Sequence, residues 1–225
     1  MRCLRVAILS HSQPTRPDAV VDWAFDRGHA PDVRALYKGD PLPDLEDFDF
    51  LVVMGGPMGC MDDAKYPWLF EETKLIEKAM SKDKAVLGLC LGGQLIARAT
   101  STPVVKNDHW ECGWHKVRIE DPYVGKGEIV AFQWHQDTFR LPSGATRIAS
   151  NPITREQGFR LSSKIVGLQF HPEAVHDWVH VCLSDAPYPE GPYVQDREEV
   201  VQGLIHQPAM NHWFRKLLQQ IEGEL

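Results

Sequence analysis

Two short apolar runs, each ending at glycine or at a helix, constrain this chain more than any other feature. Phe48–Met54 is closed by Gly55-Gly56-Pro57, and Ala85–Leu89 runs almost directly into the helical pattern Leu91–Thr100. Runs this short and this apolar read as strands buried on both faces. Between them, Tyr66–Ser81 sets Leu69, Leu75, Ile76, Ala79 and Met80 among charges, the pattern of an amphipathic helix. Upstream, Arg5–Leu9 and the weaker Val33–Tyr37 read as strands. They flank a helix at Pro17–Arg27, with Pro17 near its start and Gly28 at its end. The alternation predicts an α/β fold with a mainly parallel central sheet flanked by helices.

After Pro103 the character changes. Lys116–Ile119, Glu128–Trp134, Thr146–Ala149, Phe159–Leu161 and Ile165–Phe170 are strand-like and separated by turn residues, which predicts extra antiparallel strands. His180–Asp196 reads as irregular, and Glu198–Ile221 as helical with a break at Pro208. At 225 residues and 43% hydrophobic content, with no repeat or linker, the expectation is one domain over 1–225. Within it, 180–225 forms a C-terminal loop and helical extension.

The balance of 24 basic against 31 acidic residues gives a net charge of −7, and no Lys/Arg-rich run offers a nucleic-acid surface. No apolar segment approaches the roughly 18–20 residues needed to cross a bilayer. The start, MRCLRVAILSHSQ, reads as a first buried strand rather than a leader. Five scattered cysteines without a CxxC pair suit a reducing cytoplasm. His176 and His180 stand at i and i+4, but a third ligand is missing, so no metal is expected, nor any cofactor.

Gly88-Leu89-Cys90-Leu91-Gly92 has the G-x-nucleophile-x-G form of a strand-to-helix elbow, with cysteine as the nucleophile. A sulfur there sits at a helix N-terminus, where the dipole favours negative charge. The Leu91 N–H would point at the oxygen of an attacked carbonyl. A buried structural cysteine is the alternative. His171, in Leu168-Gln169-Phe170-His171-Pro172-Glu173, follows an apolar strand and is the candidate base, with Glu173 to orient the imidazole. Taken alone, His-Pro-Glu reads more readily as a surface turn. The glycine turn at Gly55-Gly56-Pro57 lacks the residues of a phosphate loop, and Gly56 N–H is the candidate second oxyanion donor.

Together these residues resemble the class I (triad) glutamine amidotransferase domain, in particular the stand-alone GMP synthase-like glutaminases. Gly88–Gln94 is similar to that family's G-x-C-x-G-x-Q signature, Gly55-Gly56-Pro57 to its oxyanion strand, and Gly167–Glu173 to G-x-Q-F-H-P-E. Tyr66-Pro67-Trp68, Glu111-Cys112-Gly113-Trp114 and Trp134-His135-Gln136-Asp137-Thr138-Phe139 add to the resemblance, which spans about residues 5–175. It implies a flavodoxin-like sheet and a triad of Cys90, His171 and Glu173 that hydrolyses the side-chain amide of glutamine through a γ-glutamyl thioester. It also implies Gly56 and Leu91 as the oxyanion hole, and Gln94, Gln136 and Asp137 as substrate contacts. Glu111-Cys112-Gly113-Trp114 is then structural or pocket-forming. Trp68, Trp110 and Trp134 are expected to pack, with a place at the pocket border as the alternative.

No synthetase segment follows on this chain, so the released ammonia is expected to pass to a separate synthetase partner. The alternative reading is a stand-alone γ-glutamyl hydrolase or peptidase. A non-catalytic binding protein on the same scaffold ranks third, because all three triad positions are filled.

Overall fold

The computed structural model describes residues 2–13, 17–184 and 188–225. Its strands are β1 (Arg5–Ser10), β2 (Ala30–Ala35), β3 (Phe50–Val53), β4 (Ala85–Leu89), β5 (Val104–Ile119), β6 (Gly127–Phe139), β7 (Thr146–Ser150), β8 (Gly158–Arg160) and β9 (Ile165–Leu168). Its helices are α1 (Asp18–Asp26), α2 (Trp68–Ser81), α3 (Leu91–Ala99), α4 (His176–Ser184), α5 (Arg197–Gln202) and α6 (Gln207–Glu222).

The strands form one sheet in the order β2-β1-β3-β4-β9-β8-β7-β5-β6. Pairing is parallel from β2 to β9 and antiparallel from β9 onward. The parallel half has the doubly wound order of a flavodoxin-like sheet. Its strands bury both faces, as their continuous apolar runs require. Alternate residues divide between two cores. Val6, Ile8, Phe50 and Val52 pack with α1, α4 and α6, while Ala7, Leu9, Leu51 and Val53 pack with α2 and α3.

The right-hand half departs from the sequence expectation. Lys116–Ile119 and Glu128–Trp134 are only parts of a long ribbon in which β5 pairs with β6 from Val104↔Phe139 to Ile119↔Gly127. The ribbon was hidden because its first half carries Lys106, Asn107, Asp108 and His109, and its register slips between Lys106 and Glu111. β2 begins at Ala30 rather than Val33, and Leu36–Lys38 forms a 3-10 turn. This edge strand is only partly covered, so no apolar run marks it.

Helix α4 starts at His176, inside a stretch whose sequence suggested no helix. Within His180–Asp196, residues 185–187 lie outside the described residues, and the segment at Tyr193–Gln195 bonds to Cys112 of β5. Pro208 does not break a helix. The interruption is the 3-10 turn Gly203–His206, and Pro208 lies in the first turn of α6, where its missing N–H has no intrahelical acceptor to lose. The α6 residues Met210, Trp213, Phe214, Leu217, Leu218 and Ile221 are buried, each worth about 1.5–3 kcal/mol of burial. Asn211 Nδ2 donates to Pro172 O and Ala174 O at 2.7 and 3.0 Å, so the C-terminal helix holds the loop that follows β9.

Candidate active site

Four loops meet at the C-terminal ends of β1, β3, β4 and β9, where an open α/β sheet places its ligands. At the end of β4, Cys90 has φ 51° and ψ −105°, a conformation that L-residues rarely adopt. Its N–H donates to Leu168 O at 2.8 Å, tying the turn to β9. The flanking glycines are required by space. A Cβ on Gly88 would lie 2.3 Å from Gly92 C and O, and one on Gly92 would lie 2.0 Å from Val53 O. α3 begins at Leu91, so the first N–H groups of the helix, including that of Leu91, have no intrahelical acceptor.

His171 is buried, and its ring packs on Trp178 with centroids 4.8 Å apart. Its Nδ1 bonds to Glu173 Oε1 at 2.8 Å, which leaves Nε2 for the hydrogen bond to the Cys90 sulfur. Burial by itself would lower the His171 pKa. The Glu173 carboxylate and the Cys90 sulfur outweigh it and push the ring up to about 10. Gln169 Nε2 also reaches Cys90 Sγ, at 3.7 Å, and its Oε1 accepts from Gln94 Nε2 at 3.4 Å.

The cleft in front of Cys90 measures about 430 Å³. Cys90, His171, Gly56, Gln94, Gln136 and Asp137 all line it, together with Met58, Lys106, Trp110, Trp134, Trp178 and Cys182. Glu173 stands behind His171, and Leu91 is the first residue of α3. The structure therefore brings together every site residue read from the sequence. It also refines three of them. Gln94 Nε2 is already bonded to Asp137 O and Gln169 Oε1, and Gln136 Nε2 to Asn107 O, which leaves for a ligand the Oε1 of each amide and the second N–H of Gln136. Asp137 sits opposite Lys106 across the β5–β6 ribbon. Of the three tryptophans singled out in the sequence, Trp110 and Trp134 reach the cleft, whereas Trp68 packs on Tyr66.

A match to the family model for glutamine amidotransferase class-I covers residues 27–179. The chain belongs to the class-I glutamine amidotransferase family. A glutamine amidotransferase-like protein of Salmonella typhimurium, YfeJ, is 29% identical over 181 residues, 76% of each chain. A glutamine-hydrolysing GMP synthase subunit from Archaeoglobus fulgidus is 32% identical over 150 residues, 64% of this chain and 76% of its own. The crystal structure of a glutamine amidotransferase from Methylobacillus flagellatus superposes with a TM-score of 0.93 at 28% identity, covering 100% of this chain and 96% of that one.

The chain also has buried polar groups that sequence reading missed. His11, at the end of β1, bonds through Nδ1 to Gly55 O at 3.1 Å and through Nε2 to both Glu72 carboxylate oxygens at 2.8 and 3.1 Å. The available signal was Glu72 itself, a carboxylate on the apolar face of α2 between Leu69 and Leu75. Beneath the cleft, Glu111 accepts from Asn151 and from Gln157 Nε2, with His135 Nε2 3.4 Å away. Burial opposes its charge, but His135 and Asn151 prevail and hold the carboxyl below its usual range. Glu111 thus stands behind His135, which lines the cleft, while none of Glu111, Cys112, Gly113 and Trp114 lines it directly.

The His176 and His180 rings of α4 meet at a tilt with centroids 4.4 Å apart, and among the described residues no group of three His, Cys, Asp or Glu could hold a metal ion. No helix among them is long and apolar enough to cross a membrane.

Proposed function

We propose that this chain, working as one domain over its whole length, hydrolyses the side-chain amide of glutamine and delivers ammonia to a synthetase partner. The observation that carries the reading is Cys90, strained at a strand-to-helix turn, hydrogen-bonded to a buried imidazole that is itself paired with Glu173. Cys90 Sγ gives its proton to His171 and attacks the γ-carbonyl carbon, a C–S bond forms, and the carbonyl electron pair moves onto oxygen. Gly56 and Leu91 N–H groups hold that oxyanion; losing one such donor typically costs about 2.7–4 kcal/mol of transition-state stabilisation. The raised pKa of His171 keeps that proton on the ring at neutral pH, ready for the leaving nitrogen. Collapse expels ammonia and leaves a γ-glutamyl thioester. Water, deprotonated by His171, then releases glutamate and returns the thiol. Glu173 keeps the imidazole oriented throughout.

Gln94 Oε1, Gln136 Oε1 and Asp137 supply acceptors for the α-ammonium end of the substrate, with the Lys106 ammonium opposite Asp137 for its carboxylate. The partner is proposed by likeness to the archaeal relatives, which are named as glutamine-hydrolysing GMP synthase subunits. Five free thiols favour a reducing compartment, the cytoplasm.

A second reading rests on the cleft itself. A volume of about 430 Å³ lies in the range that holds drug-sized ligands, and Trp110, Trp134 and Trp178 give it an apolar wall. That shape favours γ-glutamyl amides of larger amines, cleaved by the same thiol chemistry without a partner. The deciding experiment assays glutamine, γ-glutamyl dipeptides and γ-glutamyl amine conjugates with wild type and Cys90→Ala. Glutamine turnover lost in the variant supports the first reading. Turnover of the conjugates alone supports the second, and equal activity in the variant sinks both.

A further inference from the structure

We infer that His11 and Glu72 form a positioning pair for the oxyanion hole: by bridging the Glu72 carboxylate to the Gly55 carbonyl, the His11 ring fixes the Gly55–Gly56 peptide with its N–H turned toward Cys90. The inference rests on the reading of Gly56 as an oxyanion donor.

The geometry begins with the peptide unit. The carbonyl of Gly55 and the N–H of Gly56 belong to one planar group, and in a trans peptide they point in opposite directions. Whatever holds the carbonyl therefore aims the N–H. Here the carbonyl is held by His11 Nδ1 at 3.1 Å. Among the described residues the Gly56 N–H has no backbone acceptor of its own.

The peptide needs such a hold. Glycine on both sides leaves its plane free to rotate at little steric expense. Replacing Gly56 to stiffen it is not open to this fold, because a Cβ there would lie 2.7 Å from Met58 Sδ and 2.8 Å from His11 Cβ. The same close packing sets the loop against the first turn of α3, with Leu91 Cδ2 3.0 Å from that Cβ position. The two residues that carry the proposed donors, Gly56 and Leu91, are thereby packed against each other.

Both ring nitrogens of His11 face acceptors, the Gly55 carbonyl on one side and the Glu72 carboxylate on the other, so the pair is complete only when the ring carries two protons. Burial alone would strip the second proton. Glu72 and the Gly55 carbonyl outweigh it and raise the His11 pKa. A cation donating to Gly55 O polarises the peptide and strengthens Gly56 N–H as a donor. Both side chains are fully buried and neither lines the cleft, so the pair acts through the loop and never touches substrate.

The test separates oxyanion binding from general integrity of the site. His11→Leu, His11→Asn and Glu72→Gln are compared with wild type in three assays. These are turnover of glutamine and a γ-glutamyl anilide, affinity for glutamate γ-semialdehyde, and the rate of Cys90 alkylation by iodoacetamide followed on the Cys90 peptide. The aldehyde adds to the thiol and places an oxygen in the hole, whereas alkylation creates no oxyanion. His11→Leu is expected to lower kcat and weaken aldehyde binding in parallel, by about 10–100-fold, with KM and alkylation rate unchanged. His11→Asn recovers part of the loss, because its side-chain amide can still donate toward Gly55 O. Glu72→Gln, which keeps the shape of the pair but removes its charge, falls between. Should His11→Leu fail to fold, the other two variants carry the same comparison. Alkylation falling in step with turnover would show a merely structural role, and unchanged kcat and aldehyde affinity would show none; either overturns the inference. Wild type that neither turns over a γ-glutamyl amide nor binds the aldehyde would instead bring down the functional reading itself.

Discussion

Two buried histidine–glutamate pairs flank the Cys90 turn, and they differ in almost everything except composition. His171 and Glu173 are two residues apart, bonded at 2.8 Å, and the ring lines the cleft with one nitrogen on the Cys90 sulfur. His11 and Glu72 are 61 residues apart on β1's terminal loop and α2, bonded at the same 2.8 Å, and wholly enclosed. The first pair has a nitrogen left for chemistry. The second has spent both on fixed acceptors, a carbonyl and a carboxylate, and can only hold. Under the proposed function, the same two side chains serve as a proton carrier or as a brace according to what the second ring nitrogen meets.

Mutation should widen that contrast or erase it. Cys90→Ala or His171→Ala is expected to lower glutamine turnover by on the order of a thousandfold or more, measured as ammonia release, because triad members act as a unit. Glu173→Gln should cost about a hundredfold and move the alkaline limb of the pH–rate profile to lower pH, since the ring loses the carboxylate that raises its pKa. The same substitution has a stability signature. The folded-state pKa of His171, about 10, lies above the ordinary 6.5, so its contribution is complete below about 6.5 and is lost as pH rises through about 10. Melting temperatures of Glu173→Gln against wild type should therefore converge across that window.

Glu72→Gln is expected to cost less than Glu173→Gln and to leave the alkaline limb in place; identical profiles for the two would abolish the distinction between carrier and brace. The smallest effect is assigned to Asn211→Ala, which frees the carbonyls of Pro172 and Ala174 behind the first pair. It should lower stability by about 1–2 kcal/mol in denaturant titrations. Its activity loss should be only a few-fold, with aldehyde affinity and turnover falling together with Cys90 alkylation, unlike a His11 variant.

How much of this could be read from the sequence follows from the distances involved. The elbow was readable because its cause is local. Gly88 and Gly92 are fixed by contacts within the turn and with the neighbouring strand, and only one spacing satisfies them. His171 and Glu173 were readable because two residues and a proline separate them. The β5–β6 ribbon was not, since half of it is polar and gains its order from pairing across the sheet rather than from an apolar pattern. The helix at His176–Ser184 was missed for a related reason: its buried side, Trp178, Val179, Cys182 and Leu183, is short and begins among site residues that look like a loop.

Sequence alone determined the alternation of strand and helix, the elbow at Cys90, the three candidate triad positions and the family likeness they carry. Each is written in neighbouring residues, where spacing and glycine sterics act over one turn of chain. Only the tertiary structure decided which carbonyl His11 holds, which wall the tryptophans form, and that the last helix braces the loop beyond His171. Those depend on segments tens of residues apart being brought into register by burial of the sheet's two faces. No local pattern encodes that distance.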